Sequence, residues 1–386
     1  MNFSFSNLFN KKDQKALGID IGSSSIKVVE LRKKGNKAIL ETYGELSLGP
    51  YAGVSVGQAT KLSTAKLSLA LRDLLKEKEV GITTRNAGLA IPFHASLLSV
   101  IEMPYAKDKE LTVMVPIEAR KYIPVPISDV TLDWSIIPKF EVKAQNQEVA
   151  DEMQKKMLEK TENFGGEDGK PEKVDILLAA IHNNIISEYQ EIVANVGLAT
   201  SFFEIELFST IRSVLDEDIH TAMIFDMGAA STKLYIVERG IIRNSHIINR
   251  GAQDITATIA RMNNISFEDA EVLKRGNRAA GAGDEPINIE EAVKVTAEYI
   301  FSEANRVLFF YQKQNNKNVD KIILVGGGSA MKGWAEICSK YFKVEVVAGH
   351  PFSKVEAPAF LEEILRETGP EFAVSVGVAL RKLKEL

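Results

Sequence analysis

Apolar and polar positions along the chain predict a mixture of helices and strands. Apolar residues recur every three to four positions within 66–77, 185–196 and 289–314, which is typical of helices with one buried face. Short, nearly continuous apolar runs at 174–181 and 321–325 indicate buried strands. Because strands and helices follow one another along the whole chain, the pattern favours an α/β fold.

One polar motif occurs twice, each time between two apolar runs. The pattern D-x-G-x-x-S-x-K covers residues 20–27 and again 226–233. Apolar segments on both sides of a glycine-containing turn predict a strand–turn–strand hairpin for each copy. The copies lie about half a chain length apart, so we expect two related domains rather than a solenoid of short repeats.

The two turns have the composition of a polyphosphate site. Glycine allows phosphate oxygens to approach main-chain N–H groups, and neighbouring hydroxyl groups add donors. An aspartate before each turn, Asp20 or Asp226, can hold Mg²⁺ through its water shell. Ordinary hairpin turns also use Asp and Gly, and this alternative would be preferred for one copy alone. The repetition favours phosphate binding.

A third glycine-rich segment follows the apolar run at 321–325. Gly326, Gly327, Gly328 and Ser329 would by themselves be a weak signal. After the two hairpins, they predict a loop on which the base and ribose of a nucleotide can lie. The sequence has no P-loop motif, no strand-placed dinucleotide motif, no C-x-x-C and no G-x-S-x-G, so the corresponding enzyme classes are disfavoured.

Composition limits the kinds of partner that the protein is expected to bind and the compartment in which it is expected. The chain has 386 residues, 45% of them hydrophobic and 26% charged, as expected for a folded protein of several domains. A net charge of −5 provides no basic field for nucleic acid. No apolar stretch is long enough to span a membrane, and the single cysteine, Cys338, lies among apolar neighbours. We therefore expect a cytoplasmic protein with a buried thiol.

The glycine segments, in their order and spacing, resemble a known superfamily. GIDIGSSSIKVVEL, IFDMGAASTKLYIV and ILVGGGSAMKG are similar to the phosphate-1, phosphate-2 and adenosine motifs of actin, Hsp70 and the sugar kinases. The segments EARKYIPVPISDVTLDW and ISFEDAEVLKR make the chain resemble the FtsA-like branch and, within it, the PilM family of type IV pilus assembly proteins.

This resemblance implies an actin-like ATPase fold with two related domains, a central nucleotide cleft and an FtsA-like inserted lobe of the SHS2 type, called IC. The implied subdomains are IA at 14–94, 199–218 and 370–386; IC at 95–198, with a charged insertion at 140–173; IIA at 219–250 and 318–369; and IIB at 251–317. The insertion looks longer than the family pattern, so no property of the family is assigned to it.

The resemblance also implies that ATP is the cofactor, with Mg²⁺ held through water by Asp20 and Asp226. The matching phosphate-1 residues are Asp20, Gly22, Ser23, Ser24, Ser25 and Lys27, and the phosphate-2 residues are Asp226, Gly228, Ala229, Ser231 and Thr232. The adenosine loop is Gly326, Gly327, Gly328 and Ser329, and the helix that reaches ribose and adenine carries Glu271 and Lys274. An exposed helix face is the alternative for this last pair.

Hydrolysis is expected to be slow or absent. The second hairpin has Ala229 and Ala230 where many relatives carry more glycine or hydroxyl residues, which weakens the donors offered to phosphate. No residue in the sequence stands out as a base that would activate water.

The function implied by the resemblance is that of a cytoplasmic, ATP-binding scaffold of the type IV pilus machine. Such a scaffold binds the cytosolic N-terminal tail of the inner-membrane protein PilN, lies near the assembly ATPases, reaches the membrane only through partners, and could self-associate. One alternative is a small-molecule kinase, for which Glu118, Asp129 and Asp133 are unconvincing bases. The other is an FtsA-like, filament-forming cell-division protein, disfavoured because residues 381–386 form no amphipathic membrane helix.

A partner site is predicted in the inserted lobe. Prolines flank Ile123 and Val125 and disfavour helix there, which would present these residues and Tyr122 on an irregular edge beside Arg120. We expect this edge to line a peptide groove between the first domain and the lobe, with PilN as the occupant. The alternative is that these apolar residues close the core of the lobe.

Overall fold

The computed structural model describes residues 14–137, 173–276 and 289–386. These residues form two compact units: the smaller spans Ala95–Ile185, and the larger contains the described residues on either side of it. The smaller unit begins where the predicted lobe begins, but the lobe was predicted to extend to residue 198, and residues 186–198 belong to the larger unit. The charged insertion lies outside the described residues except for Lys173.

The strands are β1 (Lys15–Ile21), β2 (Ser25–Lys34), β3 (Lys37–Ser47), β4 (Asn86–Ile91), β5 (Ser96–Pro104), β6 (Val130–Ile137), β7 (Lys173–His182), β8 (Ala199–Ile205), β9 (Thr221–Met227), β10 (Thr232–Glu238), β11 (Ile241–Ile248), β12 (Lys321–Val325) and β13 (Glu345–Ala348). The helices are α1 (Gly49–Ala52), α2 (Thr64–Lys76), α3 (Asp108–Ala119), α4 (Asn183–Val196), α5 (Glu206–Val214), α6 (Ala252–Asn263), α7 (Phe267–Lys274), α8 (Ile289–Asn315), α9 (Trp334–Tyr341), α10 (Glu362–Thr368) and α11 (Ala373–Lys384).

The larger unit contains two five-stranded sheets with the same topology. The first has the order β3-β2-β1-β4-β8 and the second the order β11-β10-β9-β12-β13. In both, three antiparallel strands joined by hairpins are followed by two strands parallel to the first. The prediction of two related α/β halves is therefore confirmed, and the repeated motif occupies the first hairpin of each sheet.

Each sheet of the larger unit has its own apolar core. Helix α11 packs against β1, β2 and β4, and Val376 and Ala379 are fully buried there. The second sheet is covered by an aromatic cluster in which the Phe301 ring stacks on Trp334, with 5.4 Å between ring centroids. Cys338 is fully buried in the same cluster, as predicted, and burial raises the pKa of its thiol.

The smaller unit is an antiparallel sheet of order β5-β7-β6 covered by α3. Leu111, Val115 and Ala119 recur every four residues along α3 and are fully buried against the sheet. Within the described ranges of the whole chain, no helix combines the length and apolar character needed to cross a membrane.

Candidate nucleotide-binding site

The two motif turns have the same geometry. In the first, the Gly22 N–H donates to the Ser25 carbonyl at 2.9 Å; in the second, the Gly228 N–H donates to the Ser231 carbonyl at 2.9 Å. Strand register places Asp20 opposite Lys27 and Asp226 opposite Lys233. The duplicated sequence therefore produces two equivalent turns, each with an aspartate and a lysine on adjacent strands.

The first turn is anchored by the chain that follows β3. The Ser23 carbonyl accepts from the Thr60 N–H at 2.8 Å, and the Ser24 carbonyl accepts from the Leu48 N–H at 2.8 Å. Beside it, Lys27 Nζ lies 2.9 Å from Glu45 Oε1 and 2.7 Å from Ser25 Oγ. Burial alone would lower the pKa of Lys27, but the neighbouring carboxylates, chiefly Glu45, raise it.

The second turn is joined to α6 by its own carbonyl groups. The Gly228 carbonyl accepts from the Ala252 N–H at 2.9 Å, and the Ala229 carbonyl accepts from the Gln253 N–H at 3.1 Å. Thr232 is fully buried, and its hydroxyl donates to a main-chain carbonyl, that of Arg250, at 2.9 Å. That Thr232 binds phosphate stays a prediction; in the structure its hydroxyl holds the turn in place.

Three acids and a lysine meet between the two sheets. Lys233 Nζ lies 2.7 Å from Glu206 Oε2 and 3.2 Å from Asp226 Oδ2. The other Glu206 oxygen, Oε1, accepts from the Phe93 N–H at 2.6 Å. In contrast, the Asp20 carboxylate makes no hydrogen bond or ion pair with any residue that the structure describes. Burial, followed by the nearby charge of Glu206, raises the pKa of Asp20 to about 7.

The metal prediction concerned Asp20 and Asp226, and both belong to this group. Burial raises the pKa of Asp226 as well, against the opposing effect of Lys233. Among the described residues, no group of three or more His, Cys, Asp or Glu side chains is arranged to hold a metal ion. Two carboxylates that act through bound water nevertheless suit Mg²⁺, which keeps several waters when it binds proteins.

The glycine-rich loop lies directly against the second hairpin. Gly326 has φ +84°, and a Cβ there would lie 2.4 Å from Asp226 Oδ1. A Cβ on Gly328 would lie 2.5 Å from Met227 Cγ. Ser329 turns back, and its hydroxyl donates to the Val325 carbonyl at 2.6 Å. Glycine is required at Gly326 both for the backbone conformation and for the close approach to Asp226.

Glu271 and Lys274 form a buried joint between α7 and α6. Lys274 Nζ lies 2.6 Å from Glu271 Oε2, 2.9 Å from Thr256 Oγ1 and 3.4 Å from the Ala252 carbonyl. The alternative of an exposed helix face is therefore wrong. Lys274 Nζ thus has three acceptors within hydrogen-bond distance, whereas the next residue, Arg275, is partly exposed.

A cavity of about 420 Å³ lies between the first hairpin and α7. Its size falls within the range of about 300–1,000 Å³ for small-molecule sites. Val56 and Gly57 line the cavity, and two residues further on the Ala59 N–H donates to Gln253 Oε1 at 3.0 Å and links the chain after β3 to α6. The lining residues are Ser24, Ser25, Glu45, Ser47, Val56, Gly57, Glu268, Glu271, Val272 and Arg275.

The sequence did not reveal three residues of this region: Glu45, Glu206 and Arg275. Glu206 is the residue that follows β8, and ligand-binding side chains are common at the carboxyl ends of parallel strands. That position was the available signal for Glu206. Arg275 ends the segment ISFEDAEVLKR, in which only Glu271 and Lys274 had been assigned to the nucleotide.

The residues predicted to bind a partner lie in the smaller unit and differ in exposure. Ile123 is 6% exposed and belongs to the core of that unit, while Val125 packs against the core from a partly buried position. Tyr122 is 42% exposed, and Arg120 is also exposed. The prediction of a surface position is wrong for Ile123, because its side chain closes the core beneath α3.

Duplicated sheets, matching polar hairpins and a glycine loop against the second hairpin define a protein of the actin-like ATPase fold. Within this class, the family model described as "Type IV pilus assembly protein PilM" matches residues 18–156 and 160–383. The chain therefore belongs to the PilM family of type IV pilus assembly proteins.

Three known proteins illustrate the likeness. A structure titled PilM-PilN type IV pilus biogenesis complex is 25% identical, covers 95% of this chain and 98% of that chain, and has a TM-score of 0.73. The ethanolamine utilization protein EutJ from Carboxydothermus hydrogenoformans shares the fold, with 15% identity, coverage of 95% and 89%, and a TM-score of 0.52. The cell division protein FtsA of Streptococcus pneumoniae serotype 2 (strain D39) is 23% identical over 85% of this chain and 74% of its own length.

Proposed function

We propose that this protein is an ATP-binding scaffold of type IV pilus assembly that binds the cytosolic N-terminal tail of PilN. Family membership and the likeness to a PilM–PilN complex support the pilus role. The division into subdomains IA, IC, IIA and IIB, contact with pilus assembly ATPases, self-association and a cytoplasmic location at the inner membrane through partners remain predictions.

The observation that carries the nucleotide part is the cavity between the first hairpin and α7. Ser24 and Ser25 of the phosphate-1 turn line one side, and Glu271 and Arg275 line the other. In this proposal the turn holds phosphate oxygens, and Arg275 contacts the nucleoside part. Lys274 acts as a positioning residue. Its ammonium group fixes the Glu271 carboxylate, and Glu271 Oε1 in turn holds Arg275 Nε at 2.9 Å.

The donor set also fits Mg²⁺ bound with the nucleotide. The Asp20 carboxylate is half-buried, lacks a partner among the described residues, and would gain one from a cation's water shell. When bound, Mg²⁺ would neutralise part of the phosphate charge. Asp20 and Asp226 would orient its waters, and Lys27 would supply a positive charge from the first hairpin.

We expect calorimetric titration of the purified protein to show ATP binding that weakens when EDTA removes Mg²⁺. Asp226→Ala should weaken ATP binding, by a few kcal/mol of binding free energy at most, because a charge-assisted contact is lost.

In the same samples, phosphate release should stay below about 1 s⁻¹. Both oxygens of Glu206 already accept hydrogen bonds, which makes this acid a poor base for water.

Two results would contradict this proposal. Unchanged ATP affinity in Asp226→Ala would show that the second hairpin does not contribute. Phosphate release at an ordinary enzymatic rate that disappears in Glu206→Gln would show that the protein is an active ATPase.

The PilN-binding part rests on Arg120 and its neighbours in the smaller unit. Arg120 and Tyr122 are exposed at the end of α3, and Val125 is partly buried beside them. A guanidinium group suits a peptide carboxylate or carbonyl, and Tyr122 adds apolar area. Ile123 contributes indirectly, by fixing this segment to the core.

Arg120→Glu should weaken binding of a synthetic PilN N-terminal peptide by tenfold or more, while the melting temperature and ATP affinity stay near those of the wild type. Lys109→Glu is the matched control, since it reverses an exposed charge on the first turn of α3. Fluorescence anisotropy with a labelled peptide measures both. Equal peptide affinities in the two variants would place the partner surface elsewhere.

A further inference from the structure

The lysines of the two motif copies have partners of different kinds. Lys233 is paired with Asp226 and Glu206, whose side chains are 6% and 7% exposed. Lys27 is paired with Glu45, whose side chain is 31% exposed and lines the cavity. The counter-ion of Lys27 therefore lines the cavity, while the counter-ions of Lys233 are buried inside the protein.

Glu45 has a clear role in the protein without ligand. Lys27 is 8% exposed, and a buried ammonium group without a counter-ion is strongly unfavourable. The Glu45 carboxylate at 2.9 Å and the Ser25 hydroxyl at 2.7 Å satisfy it. Glu45 comes from β3 rather than from the motif itself, so the motif does not encode this pairing.

A polyphosphate in the cavity would bring a second anion to the same ammonium group. Ser25 lines the cavity and is also the hydroxyl partner of Lys27, so phosphate oxygens held by the turn lie next to Lys27. Phosphate and the Glu45 carboxylate repel each other at short range. Glu371, whose carboxyl oxygen Oε2 is buried without a hydrogen-bond partner among the residues that the structure describes, adds further negative charge near Lys27.

We propose that Glu45 is a resident carboxylate that nucleotide phosphate must displace from Lys27, and that it thereby determines how strongly binding depends on the phosphate groups. This inference rests on the nucleotide site proposed above. Arg275 lines the same cavity with a side chain that is 44% exposed, so a displaced Glu45 finds a positive charge opposite. Glu45 is thus a specificity-determining residue rather than a catalytic one.

The Lys27–Glu45 pair should therefore weaken the binding only of ligands that carry phosphate. Adenosine, which lacks phosphate, leaves the Lys27–Glu45 pair intact and is unaffected by it. The phosphates of ATP can pair with Lys27 only after the Lys27–Glu45 pair is broken. Part of the favourable binding free energy from the phosphates is therefore offset. Removing the negative charge of Glu45 should therefore improve binding of phosphorylated ligands alone.

The test compares Glu45→Gln with the wild type by calorimetric titration of ATP, ADP and adenosine in the presence of Mg²⁺. We expect ATP to bind about tenfold more tightly to Glu45→Gln and adenosine to bind equally to both. Glu41→Gln is the matched control, because Glu41 is on the same strand and pairs with Lys15 and Arg32 outside the cavity. Its nucleotide affinities should be those of the wild type.

The outcomes separate the two proposals. If the wild type does not bind ATP, the proposed nucleotide function fails. If the wild type binds ATP but Glu45→Gln binds it equally or more weakly, or gains the same factor for adenosine, the inference about Glu45 alone is overturned. Should Glu45→Gln fail to fold, Glu45→Asp withdraws the carboxylate by one methylene group and should shift ATP affinity in the same direction.

Discussion

Replacing Gly326 with alanine is expected to abolish ATP binding and to lower the free energy of unfolding by more than about 3 kcal/mol. The new Cβ would lie 2.4 Å from Asp226 Oδ1 and 2.6 Å from the Met227 carbonyl, so the loop or the end of β9 must move. The backbone at Gly326, with φ +84° and ψ 161°, also lies in a region nearly restricted to glycine. Urea unfolding and ATP titration measure the two effects.

Gly333→Ala is the control for this variant. Gly333 also has positive φ, +78°, but a Cβ there meets no atom of the described part of the chain within 4 Å. The substitution should cost about 1–2 kcal/mol from the backbone alone and leave ATP binding intact. If Gly326→Ala bound ATP normally and lost no more stability than Gly333→Ala, contact between the glycine loop and Asp226 would not be needed for the site.

Replacing Asp20 with asparagine is expected to make the protein more stable above pH 7, by about 1–3 kcal/mol, while removing most of the Mg²⁺ dependence of ATP binding. The pKa of Asp20 is raised from 3.8 to about 7 in the folded protein, so the folded state favours the neutral carboxyl group. Asparagine supplies a neutral group of the same size. It lacks the charge that attracts a hydrated cation.

The pH dependence follows from the direction of this shift. Below pH 3.8 the carboxyl group is protonated in both states and contributes nothing. Between about 4 and 7 the unfolded chain releases the proton that the folded protein keeps, so the Asp20 contribution falls as pH rises and is fully unfavourable above 7. The stability difference between Asp20→Asn and wild type should therefore grow from pH 4 to pH 7 and then stay constant.

Urea unfolding at pH 4.5, 6 and 8 measures that difference. Asp218→Asn, at an exposed aspartate of the same unit, should show a difference near zero at each pH. A stability difference for Asp20→Asn that does not change with pH would mean that Asp20 is ionised throughout this range.

Local pattern was sufficient to predict many elements of the fold. The predicted bounds 321–325 are those of β12, and the predicted strand 174–181 lies within β7, because short apolar segments bounded by polar residues leave little choice of register. Ser266 precedes α7 as its N-cap, and its hydroxyl accepts from the Asp269 N–H at 3.0 Å. Residues 86–100 contain β4 and the first part of β5, which belong to different units, and local alternation carries no information about which sheet a strand joins.

The sequence predicted the parts of the candidate site that belong to the repeated motif. It did not predict the residues that join the site through contacts with distant parts of the chain. Both hairpin turns were found because the motif occurs twice. Glu45 and Glu206 were missed, because their lysine partners lie 18 and 27 positions away and no short motif connects them. The hydroxyl partner of Thr232 was missed for a related reason: it is the carbonyl of Arg250, on the far side of β11.

The hydrogen bond between Ala59 and Gln253 bears on the kinetics of ligand exchange. A typical hydrogen bond of this kind contributes about 0.5–1.5 kcal/mol, so the link between the chain after β3 and α6 can open at low cost. The joint in which Lys274 ties α7 to α6 holds a buried ion pair instead and is far costlier to open. Because Val56 and Gly57 of the same segment line the cavity, we expect loss of this hydrogen bond to change the rates at which a ligand enters and leaves more than its equilibrium affinity.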